Sequence, residues 1–342
     1  MFDFCSALCK LFRTILCYWE NEKWIGGCTM KKDGILLKSR IMCFVILCLF
    51  PLIACSAENK TDATTAPVRP GDSNQSTESN PSARSGETRS FDLGSSVSLE
   101  MVWIPGGTFQ MGSPSSESGR GSNEGPVHTV ELDGFWMGKT EVMNAQFRKF
   151  RSSHDSGSYE GNCLNGDNQP VVSVSWEDAK AFCDWLANRT GQPFTLPTEA
   201  QWEYACRAGT ATARFTGDSD ASLHGYANAA DATAKRKWSN WTCFSWDDGY
   251  AVSSPVGIFK ANQFGLYDMI GNVWEWCADW YGDYISGRQE NPTGPSSGPT
   301  RVFRGGCWFI PPKYCRSAYR YGVTPERRSR DLGFRVCLSP VR

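Results

Sequence analysis

Beyond Gly209 the chain is crowded with Gly, Trp and turn residues and has few long periodic runs, which confines it to folds with much irregular backbone. The best-signalled helices lie before that point. Ser175 caps a segment with Trp176, Ala179, Phe182, Cys183 and Leu186 on one face, and Gly191 ends it. Thr198, with Gln201 three residues on, makes a capping box for a second helix that stops near Gly209. Upstream, the run from Val102 to Gly112 reads as a strand, a Gly turn and another strand. These signals predict an α+β domain with much irregular structure, held by cross-links or ions.

The 342 residues, 40% hydrophobic with 14 Trp, are ample for one large domain or two small ones. Net charge is −1, but residues 301–342 carry nine Arg and one Lys against Glu326 and Asp331, a local +8. A basic tail can bind nucleic acid. The export signal described next favours the alternative, Arg side chains paired with carboxylates of the same fold, and no nucleic-acid partner is expected.

From Met30, Lys31, Lys32, Lys38 and Arg40 form a basic region ahead of an apolar run, Ile41 to Ala54, too short to span a bilayer comfortably. That is the layout of a signal peptide, over 30–54. The run ends Leu52-Ile53-Ala54-Cys55, which resembles the lipobox of bacterial lipoproteins and implies lipidation at Cys55. An ordinary secretory signal or a single anchor helix fits this Cys less well. Residues 1–29 then read as an upstream extension, and 55–92, rich in Ser, Thr, Asn and Pro, as a disordered tether. The folded domain is expected over 93–342, lipid-anchored in a bacterial cell envelope, on the outer surface. Export also puts the remaining cysteines in a compartment that permits disulfides.

Six stretches carry a family resemblance: "MVWIPGGTFQMGS", "PVVSVSWEDAKAFCDWL", "LPTEAQWEYACRAG", "FGLYDMIGNVWEWCADWY", "RVFRGGCW" and "LGFRV". In this order they resemble the signatures of the formylglycine-generating enzyme (sulfatase-modifying factor) family. The resemblance implies a variant of the C-type lectin fold, with twisted antiparallel strands, two helices and long irregular loops.

It also implies two structural Ca²⁺ sites. One would use Asp268 and Glu275 with the carbonyls of Gly271 and Val273. The other would use Asn228 and Asp248 with the carbonyls of Ala229 and Tyr250. Calcium accepts such mixtures of carboxylate and main-chain oxygen. The competing reading for these side chains is hydrogen bonding to nearby turns. The three His, His128, His154 and His224, lack zinc or iron ligand spacing.

Formylglycine-generating enzymes use a copper-binding pair of reactive cysteines after Gly-Gly. Aligned on Gly305-Gly306, Ile310 falls at the first of these positions and Cys315 at the second, and Ile310 can neither form a thiolate nor ligate copper. By the same resemblance Cys206 would pair with Cys315 and Cys183 with Cys337, each link stabilising by up to a few kcal/mol.

The segment 301–337 has an ordered frame filled with patternless apolar residues, and it resembles the variable segment of retroelement-diversified proteins of the treponemal type, which share this fold. There, errors at template adenines randomise mainly asparagine codons. Phe309, Ile310, Pro311, Tyr314, Tyr319, Tyr321, Gly322, Val323, Ser329, Arg330 and Asp331 are all reachable from such codons, and Cys307 is one adenine change from the Ser of the frame. Trp308, Lys313 and Glu326 are not reachable and would be constants. The competing reading is that these are ordinary loop residues. The resemblance implies a non-catalytic, monomeric binder of an unknown protein or surface ligand, attached to the membrane by its lipid. The alternatives are a copper-dependent oxidase acting on sulfatases and a non-catalytic envelope or maturation factor.

Overall fold

The structure is a computed structural model and describes residues 86–338. The signal segment, Cys55 and most of the tether lie outside the described residues.

Four α-helices are present among them: α1 (Asn144–Phe150), α2 (Trp176–Thr190), α3 (Glu199–Arg207) and α4 (Ala232–Lys237). The α2 and α3 starts follow their caps. The Ser175 hydroxyl accepts the Asp178 amide at 3.2 Å while the Asp178 carboxylate accepts the Ser175 amide at 3.0 Å. Thr198 and Gln201 make the same exchange at the head of α3. Gly191 closes α2 at φ +68°, a left-handed conformation that suits glycine. Helix α1 carries a weaker signal: its N-cap is Met143, and only the Gln146 side chain reaches back to the cap amide, at 2.8 Å.

A five-stranded sheet runs in the order Thr88–Asp92, Ser98–Ile104, Phe135–Gly138, Cys337–Leu338, Phe194–Thr195. Its first strand corrects the tether boundary. Thr88–Asp92 pairs antiparallel with Ser98–Ile104, and Phe91 packs edge-on to Phe194 at 5.0 Å. One apolar anchor and a full ladder are enough to order a segment whose composition is otherwise polar.

A four-stranded sheet positions the candidate site. Its order is Arg320–Val323, Arg301–Arg304, Trp274–Trp280, Leu332–Gly333, antiparallel except for the last pair. Side chains alternate across it. Trp274, Trp276 and Phe303 face one way, and Trp276 joins the core built on Phe147, Phe182 and Phe334. Val302 and Cys277 face the other way, toward the core built on Phe135 and on Trp202 of α3. The basic C-terminal segment is spent internally: Arg304, Arg316, Arg320 and Arg335 are buried. They pair with Glu199 and Glu203, Glu117 and Glu124, Glu199, and Glu275 respectively.

Candidate functional site

Cross-strand register places Tyr321 on the outer face of this sheet. Phe303 lies opposite both Trp276 and Tyr321, and its ring meets Tyr321 at 5.6 Å and Trp274 at 5.1 Å. Tyr319 extends the array, 5.7 Å from Trp274 and 4.9 Å from Tyr314. Tyr321 is 54% exposed, whereas Tyr314 and Tyr319 are half-buried. The short turn Pro312–Tyr314 lifts Phe309, Ile310 and Pro311 to the same level, also half-buried.

A second aromatic group gathers around Phe309. Trp308 lies 4.9 Å from Phe309 and 5.1 Å from Tyr159. Trp241 reaches Phe309 at 5.9 Å and stacks on Trp238 at 4.4 Å. The Arg330 guanidinium sits over this group, 4.9 Å from the Tyr159 ring centre. Sequence reasoning missed Tyr159, Trp238 and Trp241. Their signal is the pair of Trp in Lys237-Trp238-Ser239-Asn240-Trp241, isolated in a polar loop where no core period demands them.

Several residues assigned to the binding surface also make structural contacts. Cys307 is fully buried and its thiol faces the Asp331 carboxylate at 3.6 Å, beneath the surface. Ser329 is half-buried and donates its hydroxyl to Asp331. At Gly322 a Cβ would lie 2.7 Å from the Tyr281 ring, so the backbone there tolerates little but glycine. Val323 is half-buried and packs on the core beside Trp276.

Both thiols of the segment 301–337 outside its last strand are buried. Cys315 is buried, its Sγ lies 3.9 Å from the Ile310 carbonyl, and burial pushes its thiol up to about 12. Burial also raises the Cys307 thiol well above its ordinary value, with Asp331 adding to the effect. A thiolate is the reactive and copper-binding form. Cys206 and Cys315 are both present as thiols, and Cys206 directs its Sγ at the Met269 carbonyl, 3.7 Å away. Cys183 lies within electrostatic range of Cys337.

The implied calcium ligands divide. Glu275 is committed elsewhere: Arg335 holds its two oxygens at 2.6 Å each, and Trp202 donates to it at 2.8 Å. A calcium ion at Glu275 would share the carboxylate with this ion pair. Asp268, by contrast, keeps one buried oxygen, Oδ1, without a hydrogen-bond partner. Glu141, which sequence reasoning missed, is buried with both carboxylate oxygens unpartnered. Burial, then the charges of Asp268 and Glu275, raises Glu141 well above the carboxylate range, and burial pushes Asp268 up to about 6. Two desolvated carboxylates in each other's field suit a hard divalent cation. Gly271 is fixed nearby at φ +91°, where a Cβ would strike the Asn228 carbonyl at 2.1 Å.

The second implied set is held by backbone contacts of its own loops. Asp248 accepts the amides of Ala229 at 2.9 Å and Tyr250 at 2.7 Å, and the Asn228 Oδ1 is buried and unpartnered. Burial pushes Asp248 up to about 8, and Asp231 contributes to that rise. Among the described residues no three His, Cys, Asp or Glu side chains converge on one point, so an ion at either place would need carbonyl or water oxygens as well.

Comparison with known proteins fits this geometry. The sulfatase-modifying factor enzyme 1-like domain matches residues 94–340. The formylglycine-generating enzyme of Mus musculus is 34% identical over 286 residues, 69% of this chain and 74% of that protein. Treponema denticola variable protein 1 superposes with a TM-score of 0.62 at 27% identity, covering 74% of this chain and 99% of that one. PvdO from Pseudomonas aeruginosa gives 0.60 at 28% identity, covering 75% and 100%.

Proposed function

The chain belongs to the sulfatase-modifying factor enzyme 1-like family, and within it we propose a ligand-binding rather than a catalytic member. The observation that carries this reading is the outer face itself: Tyr321, Tyr319, Tyr314 and Phe309 reach solvent on a braced sheet, while the nearest thiols are buried and protonated. Tyrosine offers broad amphipathic contact at low entropic cost. The protein is a lipoprotein anchored through Cys55, exposing this face at the outer surface of a bacterial envelope to a protein or surface ligand. A retroelement varies the face. Calcium, held by Asp268 and Glu141 and by the Asn228–Asp248 loop, is structural.

The experiment is genomic and biochemical. A near-copy of the DNA for residues 301–342, with AAY codons at the exposed variable positions and a reverse transcriptase gene beside it, is expected. Its absence argues against diversification. Wild-type protein should take up labelled palmitate, and Cys55→Ser should not.

The identity to formylglycine-generating enzymes favours one other reading, a copper-dependent oxidase. Purified protein with Cu(I) and oxygen should leave a Cys-containing sulfatase peptide unchanged. Conversion that disappears in Cys315→Ser would establish the oxidase instead.

A further inference from the structure

On the opposite side of the four-stranded sheet from the aromatic face, a cavity of about 360 Å³ opens between the head of α3, the end of the strand Trp274–Trp280 and the loop 282–295. Its walls are mostly apolar, from Met111, Trp280, Tyr284, Ile285 and the rings of Pro292 and Pro295. Four buried polar side chains line it, and since Glu199 and Arg320 are paired with each other, Asp279 and His128 remain.

Both present acceptors. The Asp279 Oδ2 accepts the Glu199 amide at 2.8 Å, which leaves Oδ1 for the cavity. The His128 Nδ1 lies 3.0 Å from the Pro126 carbonyl. A carbonyl can only accept, so Nδ1 carries the proton and Nε2 is a lone-pair acceptor in the neutral ring. The cationic side chain in the wall is already committed. Arg320 gives its Nε and Nη2 to Glu199 and its Nη1 to the Gly282 and Asn123 carbonyls. Glu199 is likewise consumed by Arg304, Arg320 and Tyr284. An anion would meet Asp279 and find the guanidinium occupied. A ligand that donates hydrogen bonds from a positive centre finds two acceptors in an apolar, aromatic-walled space.

We propose that this cavity is a binding site for a small organic ammonium carried on an apolar or aromatic body, with the ammonium on Asp279 and His128. The site is separate from the aromatic face and uses none of its exposed residues. Its rim residue Ile285 is 69% exposed, an apolar side chain held in water where a bound apolar body would cover it.

The test titrates the full chain with benzylamine, using benzyl alcohol and benzoate as neutral and anionic counterparts, by calorimetry and by NMR of the His ring resonances. Benzylamine should bind saturably at pH 8, and about tenfold or more tighter than benzyl alcohol, as expected for a charge-assisted hydrogen bond in a desolvated site. Benzoate should not bind. Asp279→Asn should remove the preference for benzylamine over benzyl alcohol. Burial and the Glu199 charge push Asp279 up to about 7, with Arg304 and Arg320 opposing, so benzylamine affinity should rise with pH through that value. His128 and Asp283 share the cavity wall, and Arg301 also lies in the field of Asp279. If Asp279→Asn does not fold, the wild-type His128 resonances decide, since the chain has only 3 His. They must move with benzylamine. Equal affinity for amine and alcohol, no saturable binding, or an unmoved His128 would each overturn the proposal.

Discussion

The two faces of the four-stranded sheet are built from the same strands and obey opposite rules. Phe303 and Tyr321 point outward as a cross-strand pair. Arg304 and Arg320, their immediate neighbours, point inward to Glu199 on α3, with Nε–Oε1 distances of 3.0 and 2.6 Å. Inward positions are locked by charge, because a buried guanidinium without its carboxylate is far costlier than the pair. On the other face the buried Trp276 belongs to the core, but the exposed Tyr321 is held by ring contacts that other rings, or none, could replace. A scaffold made this way can keep its frame while its surface changes.

That comparison predicts a hierarchy of effects. The largest should come from the inner face: Arg304→Ala removes the buried guanidinium shared by Glu199 and Glu203, leaving Glu199 only Arg320 and Glu203 only Arg207, and should cost about 3–5 kcal/mol by chemical denaturation. Phe334→Ala, beneath the outer face but inside the aromatic core with Phe147 and Phe182, should cost a similar 3–5 kcal/mol or so. If either variant were as stable as wild type, the frame would not be where the stability resides.

Calcium and pH come next. Asp268 and Asp248 have folded-state values pushed up to about 6 and about 8, above the ordinary 3.8. Groups raised on folding bind protons more tightly in the native state. Their contribution in calcium-free protein is therefore complete below the ordinary carboxylate value and is lost as pH rises through 6 and then 8. Calcium favours the ionised carboxylates, so adding it at pH 8 should raise the melting temperature by roughly 5 °C. A melting temperature indifferent to calcium and to chelator would remove the ion from the account. Smallest of all should be Tyr321→Ser, about 0.5 kcal/mol, since a cross-strand aromatic pair at an exposed site contributes little more.

How much of this was legible in the sequence depended on how far each signal had to reach. The α2 and α3 starts were readable because Ser175–Asp178 and Thr198–Gln201 settle them within one turn. The strand Thr88–Asp92 was not, because Phe91 is its only apolar residue and its pairing supplies the rest. The ion pair of Glu275 was not readable, because its partner, Arg335, lies 60 residues away and no local pattern links them. Glu141 went unseen for the same reason: its meaning depends on Asp268, which only the fold brings near. On the outer face the frame positions were readable, but Trp238 and Trp241 join through a loop remote in sequence.

The central claim is that the outer aromatic face is separable from the core, and chemical denaturation of the combined Tyr314→Ser, Tyr319→Ser, Tyr321→Ser variant tests it most directly. Tyr321 should contribute about 0.5 kcal/mol and the half-buried Tyr314 and Tyr319 somewhat more, for a total near 2 kcal/mol and an unchanged, cooperative transition. That is less than the single substitution at Arg304. A triple variant that fails to fold, or that loses more than Arg304→Ala, would mean these rings are core packing and the face is not a binding surface.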